Sequence, residues 1–305
     1  MSSKSTFPTP GSIGAWQVAA RPPTLTAAIA PVLVGTGAAI GDSTFAAGPF
    51  VAALWGAIFL QVGANFANDV FDFQRGADTE DRLGPPRAVQ MGLLTPTQIK
   101  LGMCAAFLLA FLAGIYLVLV AGWIVIVIGL ASIVAGLIYT GGPWPIGYHA
   151  LGDAFTFGFF GMVAVIGTYF VQAETTSGLV WLAAVPVGCT VTAILVVNNL
   201  RDLATDQAAS KTTLAVVFGD RGTRAWYLLL LVTSYCISIG LWPANQTNHW
   251  ALLVLFSLPF AIVPLRAVAS GTTGQSLNST LVQTARLHLV FGGLLALALT
   301  GWLPT

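Results

Sequence analysis

Hydrophobic residues fill 56% of the 305 positions and charged residues 8%, against roughly 25% charged in a soluble domain, so the composition is that of a membrane protein. The formal net charge of +1 says nothing about partners and no basic tract suggests a nucleic acid, so none is expected and charge placement is the informative quantity.

The first fifteen residues form a polar tail that does not read as a cleavable signal peptide. Beyond it, apolar runs of about 20 residues predict nine spans, at 22–41, 47–67, 98–119, 122–140, 151–172, 179–199, 224–242, 249–267 and 284–303. The expected fold is all-α, a polytopic bundle of nine transmembrane helices forming a single domain over 1–305. With that count all twelve Lys and Arg residues fall on or next to one side, and the opposite loops hold Asp42, Glu174 and no basic residue. The positive-inside rule then places the N-terminus and the charged loops in the cytoplasm and the C-terminus outside.

Fifteen of the 23 charged residues lie in two windows, Asp69 to Arg87 and Arg201 to Arg224. The first opens as Asn65-x2-Asn68-Asp69-x2-Asp72 at the end of the second span. Steps of three and four put these side chains on one helix face. Carboxylates are costly at membrane depth and mark function there. Arg75, Arg82 and Arg87 follow, in a loop broken by Gly76, Gly84-Pro85-Pro86 and Gly92 that is able to fold over such a face. The loop between the fourth and fifth spans, Tyr139-Thr-Gly-Gly-Pro143 to Tyr148, leads to Asp153 just inside an apolar run. It reads either as a tight turn or as a substrate-positioning segment.

The second window repeats the theme at the end of the sixth span, as Asn198-Asn199-x2-Asp202-x3-Asp206 with Lys211 beyond. Two such faces around one cavity would repel unless neutralised. A hard divalent cation such as Mg²⁺, which prefers oxygen ligands and shares them with phosphate, resolves this. Arg and Lys beside it suit a diphosphate. The blander reading is a pair of solvated helix ends with topology-setting cations. The recurrence of the window four spans later suggests a weak internal repeat.

Other chemistries find no support. Cys104, Cys189 and Cys236 sit in apolar stretches without zinc or disulfide spacing. His149, His249 and His288 are scattered, and Ser210-Lys211-Thr212 lacks the glycines of a P-loop.

The windows resemble the UbiA superfamily of intramembrane prenyltransferases. The match is closest to its 1,4-dihydroxy-2-naphthoate polyprenyltransferase group of menaquinone synthesis. It is carried by Asn65-Phe-Ala-Asn68-Asp69-Val-Phe-Asp72 through Asp81-Arg82-Leu-Gly84-Pro85-Pro-Arg87, and by Asn198-Asn199-Leu-Arg201-Asp202 through Asp206 to Lys211-Thr-Thr-Leu214. Arg21-Pro22-Pro-Thr24-Leu25 and Tyr139-Thr-Gly-Gly-Pro143 to Gly152-Asp153 also fit.

The resemblance implies a cytoplasm-facing cavity in a multi-pass protein of a bacterial inner membrane, in contact with lipid. It implies Mg²⁺-dependent transfer of a polyprenyl group from its diphosphate to 1,4-dihydroxy-2-naphthoate, with loss of CO₂ and diphosphate, giving demethylmenaquinol. Asp69, Asp72, Asp202 and Asp206 would hold the metal, assisted by Asn65, Asn68 and Asn199. Arg82, Arg87 and Lys211 would grip the diphosphate, and Tyr139 and Asp153 would position or deprotonate the acceptor.

Two positions depart from the superfamily pattern. Gly76 and Ser210 stand where a third acid is common, Asp78 being a stand-in for the first, and Ser210 also replaces a frequent glycine before Lys211. The rival readings are a related enzyme with another acceptor or a phytyl donor and, more remotely, an ion-coupled transporter.

Overall fold

The computed structural model describes residues 7–76, 82–245 and 248–301; Asp78 lies outside them. In chain order the helices are α1 (Ile13–Ala20), α2 (Thr26–Gly41, entered through a 3-10 turn at Pro22–Leu25), α3 (Ala47–Gln74), α4 (Pro96–Ala121), α5 (Ile124–Ile138) and α6 (Gly152–Ala173). They continue with α7 (Gly178–Arg201), α8 (Leu203–Ala208), α9 (Leu214–Asn245), α10 (His249–Ala269, 3-10 in its first half) and α11 (Leu277–Leu299). Among the described residues there is no strand, only a lone parallel bridge between His149 and Thr212.

Eight of these helices are long and apolar enough to cross a bilayer. The ninth expected span, 122–140, is α5, which has 15 residues. At about 1.5 Å per residue it is roughly 22 Å long, short of a hydrocarbon core of about 30 Å. Its ends explain the length. Gly122, at φ 83°, ends α4 just before it, and α5 stops at Ile138, ahead of the turn that holds Gly142 at φ 76°. Two other spans begin earlier than their apolar runs suggest. α9 is two helical pieces that meet at a non-helical Gly219 (φ 67°), a short one from Leu214 and a long one that starts at Asp220 rather than near 224 and carries Asp220, Arg221 and Arg224 on its first turns. α11 starts at Leu277 rather than 284.

Local signals set several helix starts. Thr95 Oγ1 accepts from Gln98 N at 3.2 Å and Gln98 Oε1 accepts from Thr95 N at 2.8 Å, a reciprocal cap with Pro96 at the first helical position. Ser177 caps α7 in the same sense, accepting from Val180 N.

α7 is the central helix, with Ala183, Ala184, Val187, Ala193 and Val197 fully buried. It packs against α6, α9 and α11. Around Phe157–Val163 α6 widens into a π-helical turn, where Gly161 lies directly on Gly188 of α7 and a Cβ on either glycine would collide. Such turns recur at functional sites, and this one turns Phe159, Phe160 and Val163 into the central cavity. Outward-facing residues of α4 and α5, among them Leu108, Leu112, Leu119, Val127 and Leu130, are exposed and apolar, as a lipid-facing wall requires.

Candidate active site

The ends of α3, α7 and α8, with the loops that follow α3 and α5, surround one end of a cavity of about 1050 Å³. Its deeper walls are apolar, with Val32, Leu60, Ile128, Phe159, Val191 and Leu195 among them. Most of the polar residues expected from the sequence line it: Asn65, Asn68, Asp72, Arg82, Arg87, Tyr139, Asn199, Asp202, Asp206 and Lys211. Asp69 and Asp153 do not.

In the first window, Asp72 points into the cavity. Its Oδ2 accepts from Arg87 at 3.1 Å and its Oδ1 from the Tyr148 hydroxyl at 3.0 Å. Asp69 is fully buried and turned to the following loop, where it accepts from the amides of Ala88 at 3.0 Å and Val89 at 3.2 Å. Each of its oxygens is bonded to that segment and Asp69 is not on the cavity wall, so it fixes the loop that delivers Arg87. Asn68 accepts from Thr140 at 2.9 Å, and Asn65 donates to the Ala20 carbonyl at 2.8 Å. Arg82 donates to the Pro85 carbonyl at 3.1 Å and shapes the Gly84-Pro85-Pro86 turn.

In the second window the helix ends at Arg201, and Asp206 comes from the short α8. Asp202 is held by Arg201 through two bonds, at 2.8 and 2.5 Å. Arg201 also donates to Asn198 at 2.8 Å and to Asn278 of α11 at 2.9 Å. Asn278 in turn donates to the Leu83 carbonyl at 2.8 Å, tying the first window's loop to the second window. Gly84 packs closely there, and a Cβ would stand 2.7 Å from Arg201 Nη2 and push the guanidinium aside. Asp206 Oδ1 accepts from Lys211 at 3.2 Å, while Oδ2 is buried with no partner. Burial pushes the Asp206 carboxyl above the usual range, Lys211 pulls it down, and the nearby Asp202 charge raises it again. Ser210, just before Lys211, takes the left-handed conformation at φ 55°, the geometry for which glycine would be at ease.

The loop after α5 joins the two windows. Thr212 N donates to the Tyr148 carbonyl at 3.1 Å and Ala150 N to the Thr212 carbonyl at 2.6 Å. This brings the Tyr148 ring within 5.5 Å of Lys211 and 5.6 Å of Arg75. Arg75 also donates to the Gly142 carbonyl. Tyr139 lines the cavity, but Asp153 faces α9, where it accepts from Trp226 Nε1 at 2.9 Å. The site residues missed from sequence are Tyr148, Arg201 and Asn278. The first two sat inside segments already singled out; Asn278 carried no signal, being 77 residues from its partner Arg201.

Among the described residues no three His, Cys, Asp or Glu side chains converge to hold a metal by themselves. The donor set still suits a hard cation that leaves part of its shell to water and phosphate. Asp72, Asp202 and Asp206 share the cavity with Asn68 and Asn199, and Asp206 Oδ2 is an unmatched acceptor. Around them the described wall carries six basic side chains, Arg21, Arg75, Arg82, Arg87, Arg201 and Lys211, against those three carboxylates. Guanidinium and ammonium groups in a low-dielectric cleft suit phosphate oxygens.

Known proteins resemble this chain in sequence and in fold. The chain is 38% identical over 290 residues to the 1,4-dihydroxy-2-naphthoate octaprenyltransferase of Mycobacterium tuberculosis, covering 95% of this chain and 97% of that one. Its fold matches the apo structure of a UbiA homolog from Aeropyrum pernix K1, with a TM-score of 0.70 at 13% identity over 88% of this chain and 96% of the other. It also matches a UbiA homolog from Archaeoglobus fulgidus bound to DMAPP and Mg²⁺, with a TM-score of 0.66 at 12% identity over 92% and 98% of the two chains. The profile of the UbiA prenyltransferase family matches residues 28–289. Sequence windows, fold and full-length likeness agree, and the chain belongs to the UbiA prenyltransferase family.

Proposed function

We propose that this protein transfers a polyprenyl group from an allylic diphosphate to 1,4-dihydroxy-2-naphthoate, releasing diphosphate and CO₂ and giving demethylmenaquinol. The observation that carries the reading is a single cavity with acidic and basic groups at one end and an apolar chamber behind them. The near full-length likeness to a naphthoate octaprenyltransferase favours this acceptor over others.

Asp72, Asp202 and Asp206 would hold Mg²⁺, with Asn68 and Asn199 as further oxygen donors and Asn65 bracing the first window. Bound there, Mg²⁺ would offset the charge that grows on the departing diphosphate. Lys211, Arg82 and Arg87 would bind the remaining phosphate oxygens, exchanging their present carboxylate and carbonyl partners for the substrate. The apolar chamber keeps water from the allylic cation. Tyr139 would contact the acceptor ring, and Asp153 would act behind the wall through Trp226 and the start of α6. Asp69 would serve by holding the loop that carries Arg87. The ring carbon bearing the carboxylate attacks the allylic carbon, and CO₂ is lost as aromaticity returns. The bacterial inner membrane, with the charged end of the cavity cytoplasmic, is the location that goes with this reading.

The test is turnover of purified protein with 1,4-dihydroxy-2-naphthoate and a polyprenyl diphosphate, with Mg²⁺ or with EDTA, read by mass spectrometry. The expected product is a prenylated naphthoquinol lacking the carboxylate, formed only with the metal. Prenylation of another aromatic acceptor, with none of the naphthoate, would overturn the choice of acceptor.

A further inference from the structure

A chain of side chains on the cavity face of α3 leaves one buried acceptor unmatched. The Ala20 carbonyl can only accept, so the Asn65 atom 2.8 Å from it is the amide nitrogen, and Asn65 Oδ1 faces the other way. That oxygen can only accept, so the Gln61 atom 3.1 Å away is Nε2. Thr24 gives its hydroxyl proton to the Arg21 carbonyl at 2.9 Å and accepts from both amides, at 2.9 Å from Asn65 and 3.3 Å from Gln61. Every bond direction is thereby fixed, and reversing the Gln61 amide would set oxygen against oxygen. What is left is Gln61 Oε1, an acceptor without a partner on a side chain only 8% exposed that lines the cavity. A buried polar atom in that state costs free energy until a donor arrives.

We propose that Gln61 Oε1 is the anchor for a ring hydroxyl of the aromatic acceptor. The inference rests on the acceptor reading given above. Of the two substrates only the acceptor carries an O–H donor: a prenyl tail has none, and an ionised diphosphate offers acceptors that an amide oxygen repels. The position also fits. Gln61 precedes Asp72 by eleven residues on one continuous helix, about 16 Å along its axis. That length holds a metal-bound diphosphate followed by a two-ring acceptor stacked against the allylic carbon. Gln61 thus marks the far end of the acceptor, away from the leaving group.

The test uses purified full-length protein with a non-ionisable prenyl thiodiphosphate, and follows binding of 1,4-dihydroxy-2-naphthoate and its two mono-methyl ethers by naphthoate fluorescence under anaerobic conditions. In the wild type, one ether should bind about 3- to 10-fold more weakly than the parent, the worth of one neutral hydrogen bond. In Gln61→Met that difference should vanish, while affinity for the thiodiphosphate stays unchanged. A merely structural glutamine would weaken all three ligands alike. If Gln61→Met does not fold, Gln61→Asn, which keeps the amide but withdraws its oxygen by one methylene, makes the same comparison. An ether preference that persists in the variant overturns the anchor and leaves the reaction standing. Wild-type protein that binds the thiodiphosphate but no naphthoate overturns the acceptor reading and the anchor together.

Discussion

At the end of α3, Asp69 is turned from the cavity and holds the amides of Ala88 and Val89, whereas at the end of α7 its counterpart Asp202 lies on the cavity wall in the grip of Arg201. The sequence theme is the same, but the backbone beneath it differs. α3 continues through Gln74, so Asp69 and Asp72 are locked in one helical register and only the second reaches the cavity. α7 stops at Arg201, and the new helix α8 brings Asp206 round to face the same space as Asp202. Two windows that read as equals therefore divide their labour. The first gives one cavity carboxylate and a loop clamp, the second gives two cavity carboxylates.

The comparison is sharpened most by removing a cavity acid. Asp72→Asn and Asp206→Asn should each lower kcat/KM by about 100-fold or more at unchanged folding, the scale of losing a preorganised electrostatic group. Steady-state prenyl transfer together with thermal unfolding checks this. Asp69→Ala should do the reverse. It leaves two buried amides unpaired, costing about 3 kcal/mol of stability, and the melting temperature should fall before the activity per folded molecule does. Asp69→Ala that loses activity at an unchanged melting temperature would break the division of labour.

Lys211→Ala should raise KM for the prenyl diphosphate about 10-fold, a charge-assisted hydrogen bond of roughly 1.5 kcal/mol, with a smaller change in KM for the acceptor. The pH profile tests the second window on its own. Asp206 titrates above the ordinary carboxylate range through burial and Asp202, and a metal ligand must be ionised. The Mg²⁺ concentration for half-maximal rate should therefore fall as pH rises toward that raised value and level off above it. The smallest effect expected is from Ser210→Gly. Relieving a left-handed non-glycine residue should add about 0.5–1 kcal/mol of stability, seen as a small rise in melting temperature.

The sequence made the helix order and the charged end of the cavity readable because apolar runs and carboxylates are strong signals in a membrane chain. Helix ends were less readable. Asp220, Arg221 and Arg224 look like a loop, yet α9 runs through them because Arg224 pairs with Asp220 at 2.7 Å and donates to the Val268 carbonyl at the end of α10. The role of Asp69 was hidden for a different reason. Its partners are backbone amides 19 and 20 residues away, and amides leave no mark in a residue pattern. Asn278 joins two loops only once α11 has docked, so nothing near it in sequence announces its use.

Each cavity carboxylate has its counter-ion close by in the chain: Arg87 is 15 residues from Asp72, Arg201 is one from Asp202 and Lys211 is five from Asp206. Each cavity carboxylate thus finds a cation within its own segment and does not wait for the finished bundle. A nascent hairpin carrying either window can enter the membrane already compensated, so these acids do not oppose biogenesis before their partners in the other half of the protein exist.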